Sequence, residues 1–389
     1  MRLMRFTPLL ALLALSSCGK LNPTTAPTTG AEVAPAEAQD LARSRPDPGS
    51  AGAVYTLTND AGGNAVLAFA RRADGGLAPP TMHPTGGRGA GVGLGNQNAV
   101  ILSDEDDLLF AVNAGSNDIS VMKLTHRGPV LHDRTPSGGE RPISLAMHGK
   151  LLYVLNAGGP GNITGFRVGG QGRLKPIPSS TRPLGSVAAG PAQIGFSPDG
   201  NHLVVTEKAT HTISVYEVTH GGRAFGPRVQ PSHGQTPFGF AFDRRGDLVV
   251  SEAFGGAADL SAASSYALDA QGALTTVSGS VPTTETAACW VAIEDGGRFA
   301  YTMNAGSNSI TGFRIGHDGA LARLDADGVT ATADDGPLDA AFSDGGRFLY
   351  VLNGRSHSLT AYSRGGDGSL RPLPGLGGLP PAANGLAAR

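Results

Sequence analysis

Two glutamates stand where their counterparts are asparagines. The β-rich runs HLVVTE and DLVVSE end at Glu207 and Glu252, whereas the matching runs VYTLTN, LLFAVN, LLYVLN, AYTMN and FLYVLN end at Asn59, Asn113, Asn156, Asn304 and Asn353. Asparagine suits a tight corner because its amide satisfies nearby backbone groups and it tolerates a left-handed backbone. Glutamate has no such advantage, so the two acids read either as a site pair or as two solvated carboxylates. In one poorly solvated pocket their repulsion would raise the pKa of one of them, giving an acid and a base near neutral pH. Lys208 and His211 follow Glu207, His233 lies in PSHGQTPFGF ahead of Glu252, and Arg355 and His357 follow Asn353. A histidine moves protons near neutral pH. Glu207, Glu252 and His233 are therefore the expected catalytic set, while each histidine alone also fits a solvated loop.

These residues need a frame, and the chain repeats one. NAGSN occurs at Asn113–Asn117 and again at Asn304–Asn308, and its relatives follow all seven β-rich runs at a spacing of about 50 residues, the length of a propeller blade. Each unit runs in a constant order: an inner strand such as NAVILS, a turn such as DEDD or PDGN, the aligned run, a hairpin, a third strand such as SITGFRI, and a Gly turn. The expected fold is all-β, a seven-bladed β-propeller of four-stranded antiparallel blades. Its first unit lacks an inner strand, which PPAANGLAA at Pro380–Ala388 supplies, so the C-terminal strand closes the ring. Inner strands start on the face where second strands end. That face gathers Asn98, Gln193, Phe238, Trp290 and Asp339 from the strand starts with Asn304, His211 and the other corners, and these seven are the expected ligand-binding residues. Trp290, the sole tryptophan, could floor a pocket or pack between blades. The fifth hairpin, AFGGAADLSAASS, is longer than its counterparts.

Outside the ring the composition is different. Residues 1–17 carry Arg2 and Arg5 before the apolar run Leu9–Leu15, too short to span a bilayer, and read as a signal peptide. The run ends in LSSC, a lipobox-like stretch that would make Cys18 a lipid anchor. Residues 18–50 are then a lipidated cysteine and a Pro/Thr/Ala tether without aromatic residues, too polar to fold alone, and residues 51–389 are the propeller. The expected location is the cell envelope, facing the periplasm or the exterior, with membrane contact through the anchor only. With Cys18 lipidated, Cys289 stands alone and no intramolecular disulfide is expected. A net charge of −2 offers no basic field for nucleic acid. SDEDD and DADG lack the spaced ligands of a calcium loop, the histidines lack zinc spacing, and no metal or cofactor is expected. GRGAGVGLG, at Gly87–Gly95, does not join a strand to a helix and reads as a flexible connector. A monomer is expected.

The repeats SPDGNHLVVTE and SDGGRFLYVLNGRSHSLTAYS, within a pattern running from about Ala53 to the C-terminus, resemble the seven-bladed propeller lactonase family that includes 6-phosphogluconolactonases and carboxymuconate cyclases. The resemblance implies an acid in the TE corner, matched by Glu207, with histidine and arginine at inner-strand starts around a central pocket. Here RPIS, GPAQ, TPFG and GPLD place Ser144, Gln193, Gly239 and Asp339 at or near those basic positions. A phosphosugar wants close cations, so the implied reaction is opening of an uncharged lactone, with Glu207 or His233 activating water and Asn or Gln amides polarising the carbonyl. The alternative is a non-catalytic binding or scaffold propeller that holds a glycan or a protein at the cell surface.

Overall fold

The computed structural model describes residues 51–105 and 107–389; the signal, Cys18 and the tether lie outside the described residues. Seven antiparallel sheets follow one another along the chain and close into a ring. Blade 2 has its inner strand at Val100–Leu102, and the inner strands of blades 3 to 7 are Pro142–His148, Pro191–Phe196, Pro237–Phe242, Ala288–Ile293 and Pro337–Phe342. Blade 1 takes its second and third strands from Gly52–Leu57 and Ala65–Arg71, and its inner strand is the C-terminal Asn384–Ala388, paired antiparallel through Val54 with Ala388 and Leu57 with Asn384. The outer strands of blades 3 and 6 are each broken into two short pieces.

The second strand of a blade is flanked by strands on both edges and by neighbouring blades on both faces, so it has no polar side to present. LLFAVN, HLVVTE, FAYTMN and FLYVLN are accordingly buried at every position. Tyrosines in three second strands tie blade to blade: Tyr153, Tyr301 and Tyr350 each donate a 2.7 Å hydrogen bond to a glycine carbonyl, Gly222, Gly368 and Gly75, in the last turn of the next blade. Gly75, with φ of 90°, makes the left-handed step of such a turn, and the ring of Phe348 fills the space a side chain would need. The Tyr350 bond joins blade 7 to blade 1 and so reinforces the closure made by the C-terminal strand. Cys289, on the inner strand of blade 6, is fully buried.

Candidate functional site

The two odd corners are buried and fully engaged. Glu207 ends the second strand of blade 4, and its Oε1 accepts the Gly185 amide at 2.8 Å and the Ser214 hydroxyl at 2.7 Å, while Thr212 donates to Oε2 at 3.2 Å. Glu252 holds the same place in blade 5, accepting the Gly234 amide at 2.8 Å, Ser264 at 2.5 Å and Ser280 at 2.6 Å. The asparagine corners reach the same neighbours in reverse polarity: Asn304 donates to Ser309 and Thr311, and Asn113 to Asp118 and Ser120. In these four blades the corner side chain braces the third strand. Glutamate accepts where asparagine donates, and its extra reach captures an amide of the connector arriving from the preceding blade. The carboxylates lie on one face in adjacent blades, where they serve as struts, and neither lines the cavity described below.

The fifth residue of the corner has its own task. Asn117, His211, Asn308 and His357 all take φ between 52° and 59°, and the first three use a side-chain acceptor on a later backbone amide. Asn117 accepts from Arg141 at 2.7 Å, His211 Nδ1 from Thr236 at 2.9 Å and Asn308 from Gly336 at 2.9 Å. His211 thus stands in for asparagine in a turn. His233 is exposed near the outer strand of blade 5, with its imidazole against Gly279 and its backbone amide donating to the Tyr266 hydroxyl at 2.8 Å. It does not converge with Glu207.

The glycine-rich segment before blade 2 is a plug rather than a flexible connector. Its near end is fixed by Asn59, whose side chain accepts from Ala90 and donates to Val92. Leu94 to Gln97 are buried at the level of the inner-strand starts. There the Asn96 carbonyl accepts the Trp290 indole N–H at 2.7 Å, the Asn96 amide donates to the Ile143 carbonyl, and the Gln97 backbone donates to Ala192 at 3.2 Å. Partners from blades 3, 4 and 6 converge on Asn96 and Gln97, so the segment crosses the ring at the level of the inner-strand starts. Trp290 stacks at 4.9 Å on Phe238 beneath this plug. Both are packing residues, and Asn304 is a corner brace.

The open part of the channel faces the other way. A cavity of about 420 Å³ lies along the inner strands towards their C-terminal ends, on the face that carries the turns between first and second strands. Its floor is built of amides. Gln97 Nε2 donates to the Val291 carbonyl at 2.7 Å and its Oε1 accepts the Val291 amide at 3.2 Å; Gln193 clamps Phe240 in the same way, at 2.9 and 2.7 Å. Each primary amide has two N–H groups, so each clamp leaves one further donor. Asn98, at φ of 64°, joins them in the lining. Leu102 and Met147 form one wall and Phe196 and Phe242 the other, backed by the buried Leu145 and Phe240, with His148 as the only titratable side chain among the described lining residues. Of the expected binding residues, Gln193 and Asn98 are here. Gln97 and His148 had no motif to mark them; the signal for Gln97 was a polar GNQN between a glycine run and an inner strand.

A buried carboxylate and a partly buried lysine flank the plug. Lys208 donates to the carbonyls of Gly95 and Pro191 and lies 4.5 Å from the Phe238 ring centre. Burial, with the Arg141 guanidinium as a second cause, pushes it down to about 7. Asp339 accepts the backbone amides of Ala340, Asn98 and Leu386, and burial still pushes it up to about 7. It knits blade 7 to blade 2 and to the closing strand, and does not line the cavity.

Ring, corner and channel together define a class, and the comparisons name it. The model of the lactonase family with a 7-bladed β-propeller matches residues 173–289 and 261–375, over half of the chain, and the chain belongs to that family. Its fold is similar to that of a protein from Lactobacillus plantarum, at a TM-score of 0.69 and 18% identity over 87% of this chain and 99% of that one. A periplasmic gluconolactonase from Pseudomonas aeruginosa is similar at a TM-score of 0.65 and 19% identity, over 85% of this chain and 98% of that one. No curated protein matches the sequence.

Proposed function

We propose that the protein opens uncharged lactones in the cavity on the turn face. The observation that carries this reading is the amide floor: Gln97 and Gln193 are held rigid by two-way clamps on Val291 and Phe240, so their remaining N–H donors are preorganised for a carbonyl oxygen that gains charge as the ring opens. Among the described lining residues none is lysine or arginine, so a phosphate would find no fixed cation there. His148 is the side chain able to take a proton from water, which adds to the lactone carbonyl while the ring C–O bond breaks and the proton passes to the leaving oxygen. Family membership supports lactone chemistry, and the Pseudomonas aeruginosa relative is a gluconolactonase by name.

Purified protein should hydrolyse δ-valerolactone faster than glucono-δ-lactone and leave the 6-phosphate of the latter untouched. Preference for the phosphate, or turnover of none of them, overturns the reading. A second reading, a binding propeller without turnover, is favoured by one feature: Glu207 and Glu252 are occupied as struts, so the cavity has no carboxylate. Saturable binding of these lactones without hydrolysis would select it. For location we propose a lipid anchor at Cys18 in the cell envelope, supported by the LSSC stretch behind a short apolar run.

A further inference from the structure

Uncharged lactones differ widely in shape, and the two walls of the cavity discriminate among them. Phe240 and Phe242 come from the inner strand of blade 5 and stand edge to face at 6.1 Å, and Phe196 joins them from blade 4. Facing them are Leu102 from blade 2 and Leu145 and Met147 from blade 3. Blades 2 and 5 are three places apart in a ring of seven, hence nearly opposite across the channel. Gly195 contributes to the same geometry. A Cβ there would meet the Phe240 ring at 2.7 Å, so the missing side chain on blade 4 gives that ring its place in the wall.

An aromatic wall opposite an aliphatic wall, over a floor of amide donors, suits a flat body with one polar edge. A polyhydroxylated sugar lactone would leave most of its hydroxyls against carbon, and unpaired polar groups are costly to bury. A volume of about 420 Å³ exceeds what a single small ring fills, and lies within the range of small-ligand pockets. Resting on the lactone-opening reading above, we infer that the substrate is an aryl-fused or aryl-bearing lactone, with its aromatic part against Phe196 and Phe242 and its carbonyl on the Gln97 and Gln193 amides.

Two probes separate this from the parent reading. Dihydrocoumarin is a lactone fused to a benzene ring; 2-tetralone has the same outline but a methylene in place of the ring oxygen, and cannot be hydrolysed. On the full chain, kcat/KM for dihydrocoumarin divided by its hydroxide-catalysed rate should exceed the same ratio for δ-valerolactone by about tenfold, a gain set by burying the extra ring. Phe242→Ala should lower the dihydrocoumarin value by about fivefold, the scale of one aromatic contact, and change δ-valerolactone by less than about twofold. Phe242→Leu, which keeps most of the volume, should lie between the two and guards against a folding defect. If no lactone is hydrolysed but 2-tetralone binds by calorimetry and Phe242→Ala weakens it, the hydrolytic reading fails and the ligand class stands. If δ-valerolactone has the higher ratio, if Phe242→Ala lowers both lactones equally, or if 2-tetralone fails to bind, the ligand class is overturned.

Discussion

Gln97 reaches across the ring to Val291, 194 residues away in sequence, and exchanges two hydrogen bonds with its backbone. This one clamp ties the plug before blade 2 to the inner strand of blade 6 and sets the floor of the cavity. Gln97→Leu should leave the Val291 amide and carbonyl buried without their partner, a loss of about 1–3 kcal/mol. Thermal unfolding should show a lower Tm, and turnover of an uncharged lactone should fall in the protein that remains folded. An unchanged Tm would mean that the plug is held by its other contacts alone.

The glutamate corners should behave as structure. Glu207→Ala strands the Gly185 amide and the Ser214 hydroxyl, and because hydrogen bonds to a charged acceptor are each worth about 1.5–3 kcal/mol, the melting point should drop by several degrees. Glu207→Gln keeps one acceptor and should cost less. Activity per folded molecule should be unchanged in both, and calorimetry with an activity assay on the same sample decides the matter.

Stability should depend on pH through the two charges beside the plug, with opposite signs. The folded-state value of Asp339 is raised from 3.8 to about 7, so its contribution is fully present below about pH 3.8 and is lost as pH rises through 7. The folded-state value of Lys208 is lowered from 10.5 to about 7, so its contribution is present above about pH 10.5 and is lost as pH falls through 7. Asp339→Asn should flatten the decline in Tm between pH 4 and 7, and Lys208→Met the rise between pH 7 and 10. Variants with the same pH slopes as the parent would show that these groups are not buried in the folded protein.

Removing residues 380–389 takes away the inner strand of blade 1 and the Asp339 contact to Leu386. The second strand, Gly52–Leu57, would become an open edge. The truncated protein should melt well below the parent or aggregate, and an unaltered melting curve would contradict closure by this strand.

If the anchor at Cys18 is made, the protein should partition with membranes, and Cys18→Ser should release it or block its processing. Membrane partition that is indifferent to this substitution would exclude the anchor.

The ring was legible in the sequence because a strand packed on both faces has little choice of residue: LLFAVN, LLYVLN and FLYVLN repeat the same solution to the same burial. The closing strand was legible from the blade that lacked one. The face shared by the corners was legible, but not what their side chains hold. Glu207 and Glu252 depart from the repeat, yet the groups that explain the departure, the Gly185 and Gly234 amides, lie in irregular connectors where no periodicity places them. The plug escaped notice for a related reason. Glycine content reads as freedom, whereas here it lets the chain approach the backbones of three blades. Gln97 precedes the inner strand of blade 2, and the slot of His148 is held by Ser103 and Ser197 in the neighbouring blades, so no repeated residue type marks either and only the folded ring brings them to one cavity.

The central claim is that the chemistry lies on the turn face and not on the corner face. The most direct measurement compares kcat/KM for the best uncharged lactone in two folded variants. Leu102→Trp obstructs the cavity mouth, and Glu207→Gln alters the corner acid without touching the cavity lining. Rates normalised to folded protein should fall by at least about tenfold in Leu102→Trp and stay within about twofold of the parent in Glu207→Gln. The reverse pattern, full activity with tryptophan at position 102 and loss with glutamine at 207, would contradict the account and return the site to the corners.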